Sequence, residues 1–355
     1  MRVAVIGAGV IGASVTYHLA KRGVEVHCFD RATTAGSGTT SVGFATATAY
    51  RRFPQAYFAL NQAGIAEHVK LGGQWWHQSG TIGWSDDESF GGYLDLLAEW
   101  GCDVERRSVH AAHRELERSV DFPRSGVVAR LPREGWIDAV AFTQWMLSVD
   151  GASVRLGTAV EKLDKVDSGT FGVLSSDGTR TEVDAVVNAA GSGADDVAVM
   201  AGARRFLGAP RRSLIIHVDI DHDLKHIVRA PDISIRPDGP GRIVMRSDQV
   251  DRKLPDRSGA PEPTLVDDLL ARAHRVIPTL SAGTIHLAHV VDARCPRDDL
   301  PSAGALTAVP GYYEAVASAG VTLAPLFGRL LAEQMTNGTV DALLKPFSPD
   351  RFSVQ

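Results

Sequence analysis

Hydrophobic and polar positions change period several times along this chain, and each change predicts an element. Val3 to Ile6 form an unbroken apolar run, which reads as a short strand buried on both faces. A glycine-spaced turn follows, with Gly7, Gly9 and Gly12. Helical spacing then runs from Ala13 to Lys21, with Val15 and Leu19 four apart on one face, and Gly23 stands where a C-terminal cap belongs. The next stretch, VEVHCFD, alternates as a second strand and ends in Asp30. Residues 36 to 50 are small and hydroxyl-rich, with Val42 and Phe44 predicting a packed segment rather than a free loop.

Further along, Asp177-Gly178 separates two alternating runs and predicts a hairpin. Its second arm leads into the buried run Ala185-Val186-Val187 and ends at Asn188-Ala189-Ala190-Gly191. RRSLIIHVDI and DISIRPDGPGRIVMRSD read as strands, and TLVDDLLARAHRVIPTL as a helix ended near Pro278. The last long pattern starts strand-like at Gly311 and meets Gly320. It continues as a helix with Leu323, Phe327, Leu330 and Leu331 on one side.

The opening elements together form the pattern of a dinucleotide-binding βαβ unit. Gly7 permits the tight turn, Gly9 lets backbone approach a pyrophosphate, and Gly12 lets helix and strand pack closely. Unpaired N–H groups at the helix start face the phosphates. The dipole alone contributes only about 0.3–1 kcal/mol, so aimed donors and shape carry most of the affinity. Asp30 lies eighteen residues beyond Gly12, where a carboxylate accepts ribose hydroxyls. An acid there suits FAD or NAD and disfavours a 2′-phosphate. The turn itself does not choose between those two.

Composition narrows the rest. The chain has 355 residues, 44% hydrophobic and 22% charged, enough for two domains because single cores stop growing near roughly 250–300 residues. A net charge of −5 argues against a nucleic-acid partner. Cys28, Cys102 and Cys295 form no CxxC pair, so neither a disulfide framework nor a metal site is expected. The longest apolar stretch is the glycine turn, too short to cross a bilayer, and a cytoplasmic location without membrane partners is the expectation.

The ordered motifs then reach a known family. The opening turn, TTS at 39–41, VVNAAG at 186–191, IRPDGPGR at 235–242, ARCPRDDLPSAG at 293–304, SAGVTLAPLFG at 318–328 and PFSPDRF at 346–352 follow one another nearly end to end. In this the chain resembles the D-amino-acid-oxidase-like flavoproteins, the group with glycine oxidase and sarcosine oxidase. The resemblance implies an α/β fold in which a Rossmann-type FAD-binding domain is interleaved with a smaller α+β substrate domain. It divides the chain into 1–80, 140–205 and 300–355 for FAD, and 81–139 and 206–299 for substrate. It also implies noncovalent FAD, with its adenine half on the opening turn and its flavin ring before the last helix. The cofactor residues carried over are Gly7, Gly9, Val10, Ile11, Gly12, Asp30, Arg31, Thr39, Thr40, Ser41, Val160, Ala190, Gly191, Gly320, Val321 and Thr322.

The implied reaction is oxidation of a C–N bond in a small amine or amino acid by hydride transfer to flavin, with oxygen as acceptor. Arg294 is the first candidate for gripping a substrate carboxylate. Relatives carry Gly-x-Arg-Pro there, and this chain reads Asp292-Ala293-Arg294-Cys295-Pro296, shifted by one residue. Ser318 and Ala319 stand where many relatives carry a histidine or arginine. Ser318, Tyr312 and His217 complete the catalytic candidates, with Arg242 and Arg246 behind them. Cys295 lies near the position where some relatives link flavin covalently. Three other readings stay open: a flavoprotein oxidising a 2-hydroxy acid, a flavin-carrying subunit or inactive homologue acting through a partner, and an NAD-dependent dehydrogenase.

Overall fold

The computed structural model describes residues 1–166, 170–221, 223–256, 260–282 and 284–353. Two large sheets organise it. The first has six strands in the order Ser302–Ala305, Tyr312–Val316, Ala185–Asn188, Arg2–Ile6, Glu25–Phe29 and Ala152–Arg155. All neighbours are parallel except Ser302–Ala305, which runs antiparallel to Tyr312–Val316. A parallel sheet has to be covered on both faces, which is why Val3 to Ile6 and Ala185 to Asn188 are buried without alternation. On one face lie the opening helix, Val10–Ala20, and the final long helix, Gly320–Asn337. On the other, Phe171, Val173, Val183 and Phe206 form a second apolar layer.

The two helices cross at very short range. A Cβ on Gly328 would stand 2.5 Å from the Ser14 carbonyl oxygen, so only glycine allows this approach. The expected hairpin is present: Phe171–Ser175 pairs antiparallel with Arg180–Val183 around Gly178 at φ +81°.

The second sheet has eight strands, ordered Thr284–Ala293, Arg211–Asp219, Arg242–Arg246, Ser234–Pro237, Ile227–Arg229, Thr81–Gly83, Val127–Leu131 and Glu105–Ser108. It is antiparallel except where Ile227–Arg229 meets Thr81–Gly83. One face carries Leu214, Ile216, Val218, Val228, Ile235, Ile243 and Met245 into a core closed by the helix Pro263–Val276. The alternating residues point the opposite way, toward the segment Val42–Phe44 and a small apolar cluster of Ile215, Val244 and Val291. Of residues 36–50, the stretch from Val42 to Tyr50 is packed as expected, whereas Ser37 to Thr39 and Ser41 are exposed around a short helix at Thr39–Val42. No helix among the described residues is long and apolar enough to cross a membrane.

Candidate functional site: a crevice between two open helix starts

The opening turn is shaped by contacts that forbid side chains. Gly7 sits at φ +111°, and a Cβ there would lie 2.4 Å from the Ala189 carbonyl oxygen. A Cβ on Gly12 would fall 1.8 Å from the Gly7 carbonyl oxygen. The first glycine thus joins two strand ends, and the third lets the helix descend onto the turn. Gly9 is the N-cap of Val10–Ala20 and supplies no side chain. The Thr40 hydroxyl accepts from the Val10 N–H at 3.1 Å, leaving the amides of Ile11 and Gly12 open to a ligand.

Asp30 closes this end. One carboxylate oxygen accepts from the Ala8 N–H at 2.6 Å and the other from the Ala32 N–H at 2.8 Å. An ionised carboxylate offers about four acceptor sites, so capacity for hydroxyl donors remains. Val160 and Ala190 pack against the same cluster as Ile6 and Phe29, while Gly191 lies exposed at φ +54°. Arg31, Thr39 and Ser41 are exposed around the same end, with the Ser41 hydroxyl turned back onto the Ser37 and Gly38 carbonyls.

The final helix starts a few ångströms away. A Cβ on Gly320 would meet Ile11 Cδ1 at 3.3 Å, so the first turns of the two helices touch. Its N-cap, Ala319, donates no side-chain cap, and neither helix has an acid in its first turn. Neither first turn carries an acid of its own to meet its positive end. Pro325 lies inside the second turn and has no N–H for the Val321 carbonyl four residues earlier. His68, on the helix Gln55–Leu71, fills the gap: its Nε2 lies 2.8 Å from the Val321 oxygen. A carbonyl only accepts, so Nε2 carries the proton. Burial pushes the ring down to about 4, outweighing that hydrogen bond, and keeps it neutral. Thr322 ties the same turn to the neighbouring strand Thr46–Ala47 by donating to the Thr46 carbonyl at 3.1 Å.

The eight-stranded sheet forms the third wall. Its inward rows are His217, Val244 and Arg236, and then Arg246, Ser234 and Arg229. His289 donates to the Val42 carbonyl at 2.9 Å, and Arg236 donates to the Phe44 carbonyl, so this segment is tethered to the sheet. Asp238 bridges Arg236, at 2.8 Å, to His217, at 3.1 Å. Burial raises the Asp238 carboxyl, but His217 and Arg236 outweigh it and hold it at about 2.

Arg246 is paired with Asp248 and Asp251. Arg229 is not paired: among the described residues it meets only hydroxyls, Ser234 at 2.8 Å and Thr46 at 3.4 Å, and lies over the Phe44 ring. Burial, with the nearby Arg246 charge, pushes Arg229 down to about 10. A surface hollow of about 780 Å³ beside Arg114–Ser119 and Lys225 touches none of these residues.

Two catalytic expectations need correction. Tyr312 is fully buried, and its hydroxyl accepts from Asn188 Nδ2 at 2.7 Å, so it is a core residue. Arg294 is held by the Gly208 carbonyl at 3.1 Å and by Asp195 at 3.3 Å. Asp195 is itself buried beneath the turn at Phe206 and Leu207, whose amides it accepts, so Arg294 braces that turn. His217 stays on the inward sheet face, engaged by Asp238. Ser318 lies at the start of the final helix, 3.4 Å from the Tyr57 hydroxyl. The four candidates do not converge. Arg242 pairs with Asp219 at the exposed end of its strand, whereas Arg246 is mostly buried and neutralised by Asp248 and Asp251.

A glycine turn at the edge of a parallel sheet, an acid at the end of the second strand and a second uncapped helix start form the frame of a dinucleotide-binding fold. The chain belongs to the FAD-dependent oxidoreductase family of the D-amino-acid-oxidase type, whose sequence profile matches residues 2–334. An uncharacterized oxidoreductase of Bacillus subtilis is 25% identical, with 97% of each chain covered. Among solved structures, glycine oxidase from Geobacillus kaustophilus superposes with a TM-score of 0.85 at 23% identity, covering 98% of both chains. L-proline dehydrogenase from P. horikoshii gives 0.87 at 19% identity, covering 99% of this chain and 97% of its own. The expected interleaved α/β fold and FAD dependence stand on these matches.

Proposed function

We propose that this protein oxidises the C–N bond of a small amine or amino acid, with noncovalent FAD as hydride acceptor and oxygen as the final acceptor. The observation that carries this reading is the meeting of two uncapped helix starts at Ile11 and Gly320, beside a sheet face with buried, unpartnered polar atoms. The adenylate would rest on Gly7, Gly9, Gly12 and Asp30, and the ring system before Gly320–Thr322. When bound there, FAD supplies a two-electron acceptor. The names of the structural relatives, glycine oxidase, iminodiacetate oxidase and L-amino acid deaminase, support an amine or amino acid as substrate. The division into an FAD unit at 1–80, 140–205 and 300–355 and a substrate unit at 81–139 and 206–299 belongs to the same proposal. So does a cytoplasmic location, which suits three cysteines that are all free.

The residues of the crevice account for amine activation without a dedicated base. A substrate amine with a pKa near ~10 is mostly ammonium at neutral pH, and reaching the neutral form costs ~4 kcal/mol. Ile215, Val244, Val291 and Phe44 offer an apolar wall that desolvates an ammonium. The Arg229 charge acts in the same direction, because a nearby cation disfavours a second one. Cys295 is buried and its thiol is pushed up, chiefly by burial, which suits a cysteine that stays protonated and unlinked.

Purified protein should be yellow, release its flavin into the supernatant on acid precipitation, and bleach anaerobically with amines. Matching 2-hydroxy acids belong in the same screen, since the fold also suits C–O oxidation. Colourless protein that takes up no FAD would remove the proposal. Bound FAD that no amine or hydroxy acid bleaches would redirect it to a partner-dependent subunit.

A further inference from the structure

An aromatic row leads from the first turn of the final helix to the surface, and the amine chemistry leaves it unused. Its inner end is His68, bonded to the Val321 carbonyl. His68 stacks on Trp76 with ring centres 5.5 Å apart and packs on Phe142 at 5.2 Å. Trp75, next to Trp76 in the chain, meets Phe142 at 5.5 Å and Trp145 at 4.4 Å. Trp145 meets Tyr17 at 5.0 Å, and Lys21 lies over the Tyr17 ring at 5.7 Å.

Plain core packing explains an aromatic cluster, but three features of this one need more. Glycines make room for the indoles: a Cβ on Gly73 would stand 2.4 Å from the Trp75 ring, and one on Gly135 would stand 2.6 Å from the Trp76 ring. The row also grades outward. His68 and Phe142 are fully buried, Trp76, Trp75, Trp145 and Tyr17 are half-buried, and Lys21 is exposed. Finally, Trp75 Nε1 is sealed from solvent without an acceptor, although a buried indole N–H usually finds one. An indole that loses an electron becomes a radical cation, which is trapped once its N–H proton leaves. Trp75 has nothing to take that proton, so it stays a strong oxidant and passes the hole on. A phenol behaves oppositely: on oxidation it gives its proton to water, and the hole stops there.

We propose that Trp76, Trp75, Trp145 and Tyr17 form a hole-conducting row that drains one-electron oxidising equivalents from the crevice to the surface. It goes beyond the amine-oxidase reading and rests on it only for the source of the oxidant, a radical derived from the oxygen that reaction consumes. The oxidant takes one electron from Trp76 and is itself reduced. Trp75 refills Trp76, Trp145 refills Trp75, and Tyr17 refills Trp145 while its phenol proton passes to water. A soluble thiol returns a hydrogen atom to Tyr17, and two of the resulting thiyl radicals couple as a disulfide. The one bond broken in the protein, the phenol O–H, is remade.

Pulse radiolysis with the azidyl radical, which oxidises indoles by one electron, tests the row with or without flavin. Tryptophanyl absorption should decay in a first-order step, independent of protein concentration, as tyrosyl absorption rises. Trp145→Phe should slow this step at least tenfold, and Tyr17→Phe should abolish its fast phase. Trp145→Tyr should keep it fast, which a purely structural role for the ring would not predict. Trp84→Phe, outside the row and packed on Phe122, should leave it unchanged. If Trp145→Phe is insoluble, the partly exposed Tyr17 still decides through Tyr17→Phe. In FAD-loaded protein turning over an amine in air, peptide mapping by mass spectrometry should find oxidation at Tyr17 in the wild type. In Trp145→Phe it should move to Trp75 and Trp76. A transfer step unchanged by both Trp145→Phe and Tyr17→Phe, or oxidation sites that do not move, overturns the row. Colourless protein that takes up no FAD would defeat the flavoprotein reading alone, because the radiolysis still decides whether the row conducts.

Discussion

The two helix starts that meet at Ile11 and Gly320 are kept open by different means. The opening helix relies on glycine: Gly7 and Gly12 bring backbone so close that no side chain fits, Gly9 leaves the cap bare, and the strand before it is buried and apolar from Val3 to Ile6. The final helix relies on a proline and a repair. Pro325 removes an N–H that the Val321 carbonyl needs, and a histidine from another helix restores the bond. Its approach strand, Tyr312–Val316, also buries an acid, Glu314, which accepts from the Ser302 hydroxyl at 2.5 Å. One terminus is defined by local backbone geometry and the other by side chains distant in sequence. The first should therefore fail abruptly when substituted, and the second by degrees.

The sharpest break is Gly12→Val. A Cβ there overlaps the Gly7 oxygen, so the helix must move off the turn, at a cost on the order of 4 kcal/mol. Loss of soluble protein, or of FAD uptake measured by flavin fluorescence, is the expected outcome. A variant that binds FAD like the wild type would mean the close approach is unimportant.

Next is Glu314→Gln. Burial raises the Glu314 carboxyl from 4.5 to about 7. A group whose pKa is raised on folding contributes stability that is complete below about pH 4.5 and is lost as pH rises through about 7. The size is on the order of 3 kcal/mol. Melting curves from pH 4.5 to 8 should fall less steeply for Glu314→Gln than for the wild type. Parallel curves would contradict the assignment.

His68→Ala should cost about 1–3 kcal/mol by leaving the Val321 carbonyl buried without a donor. Pro325→Ala restores the missing N–H, so the same histidine substitution should cost about 1 kcal/mol less in that background. Strict additivity in denaturant melts would show that the histidine does not act through that carbonyl. The smallest effect belongs to Asp30→Asn, which keeps one acceptor oxygen for the Ala8 or Ala32 amide, loses the other, and should weaken FAD about tenfold, or ~1.4 kcal/mol. Unchanged affinity in a fluorescence titration would remove the ribose role.

This contrast also explains what could be read from the residues alone. The glycine turn, the following helix and strand, the hairpin at Asp177-Gly178 and the helix at Pro263–Val276 are local patterns found where expected, except that the first helix already starts at Val10, inside the glycine turn, rather than at Ala13. The inward sheet face is not local. Arg229 sits on a strand of three residues and meets Thr46, 183 positions away, so no window reveals it. His68 looks like an ordinary helical histidine. Pro325 was the available signal, since a helix proline orphans a carbonyl that some donor must satisfy. Tyr312 and Arg294 drew attention by motif position, but burial and Asp195 decide their roles.

The most direct test of the account is a crystal structure of the protein loaded with FAD. It should show the adenosine ribose on Asp30, the pyrophosphate against the amides of Ile11 and Gly12, and the ring before Gly320 to Thr322, under the inward face of the eight-stranded sheet. A flavin ring lying outside the crevice, with Gly320 to Thr322 covered by protein, would contradict it.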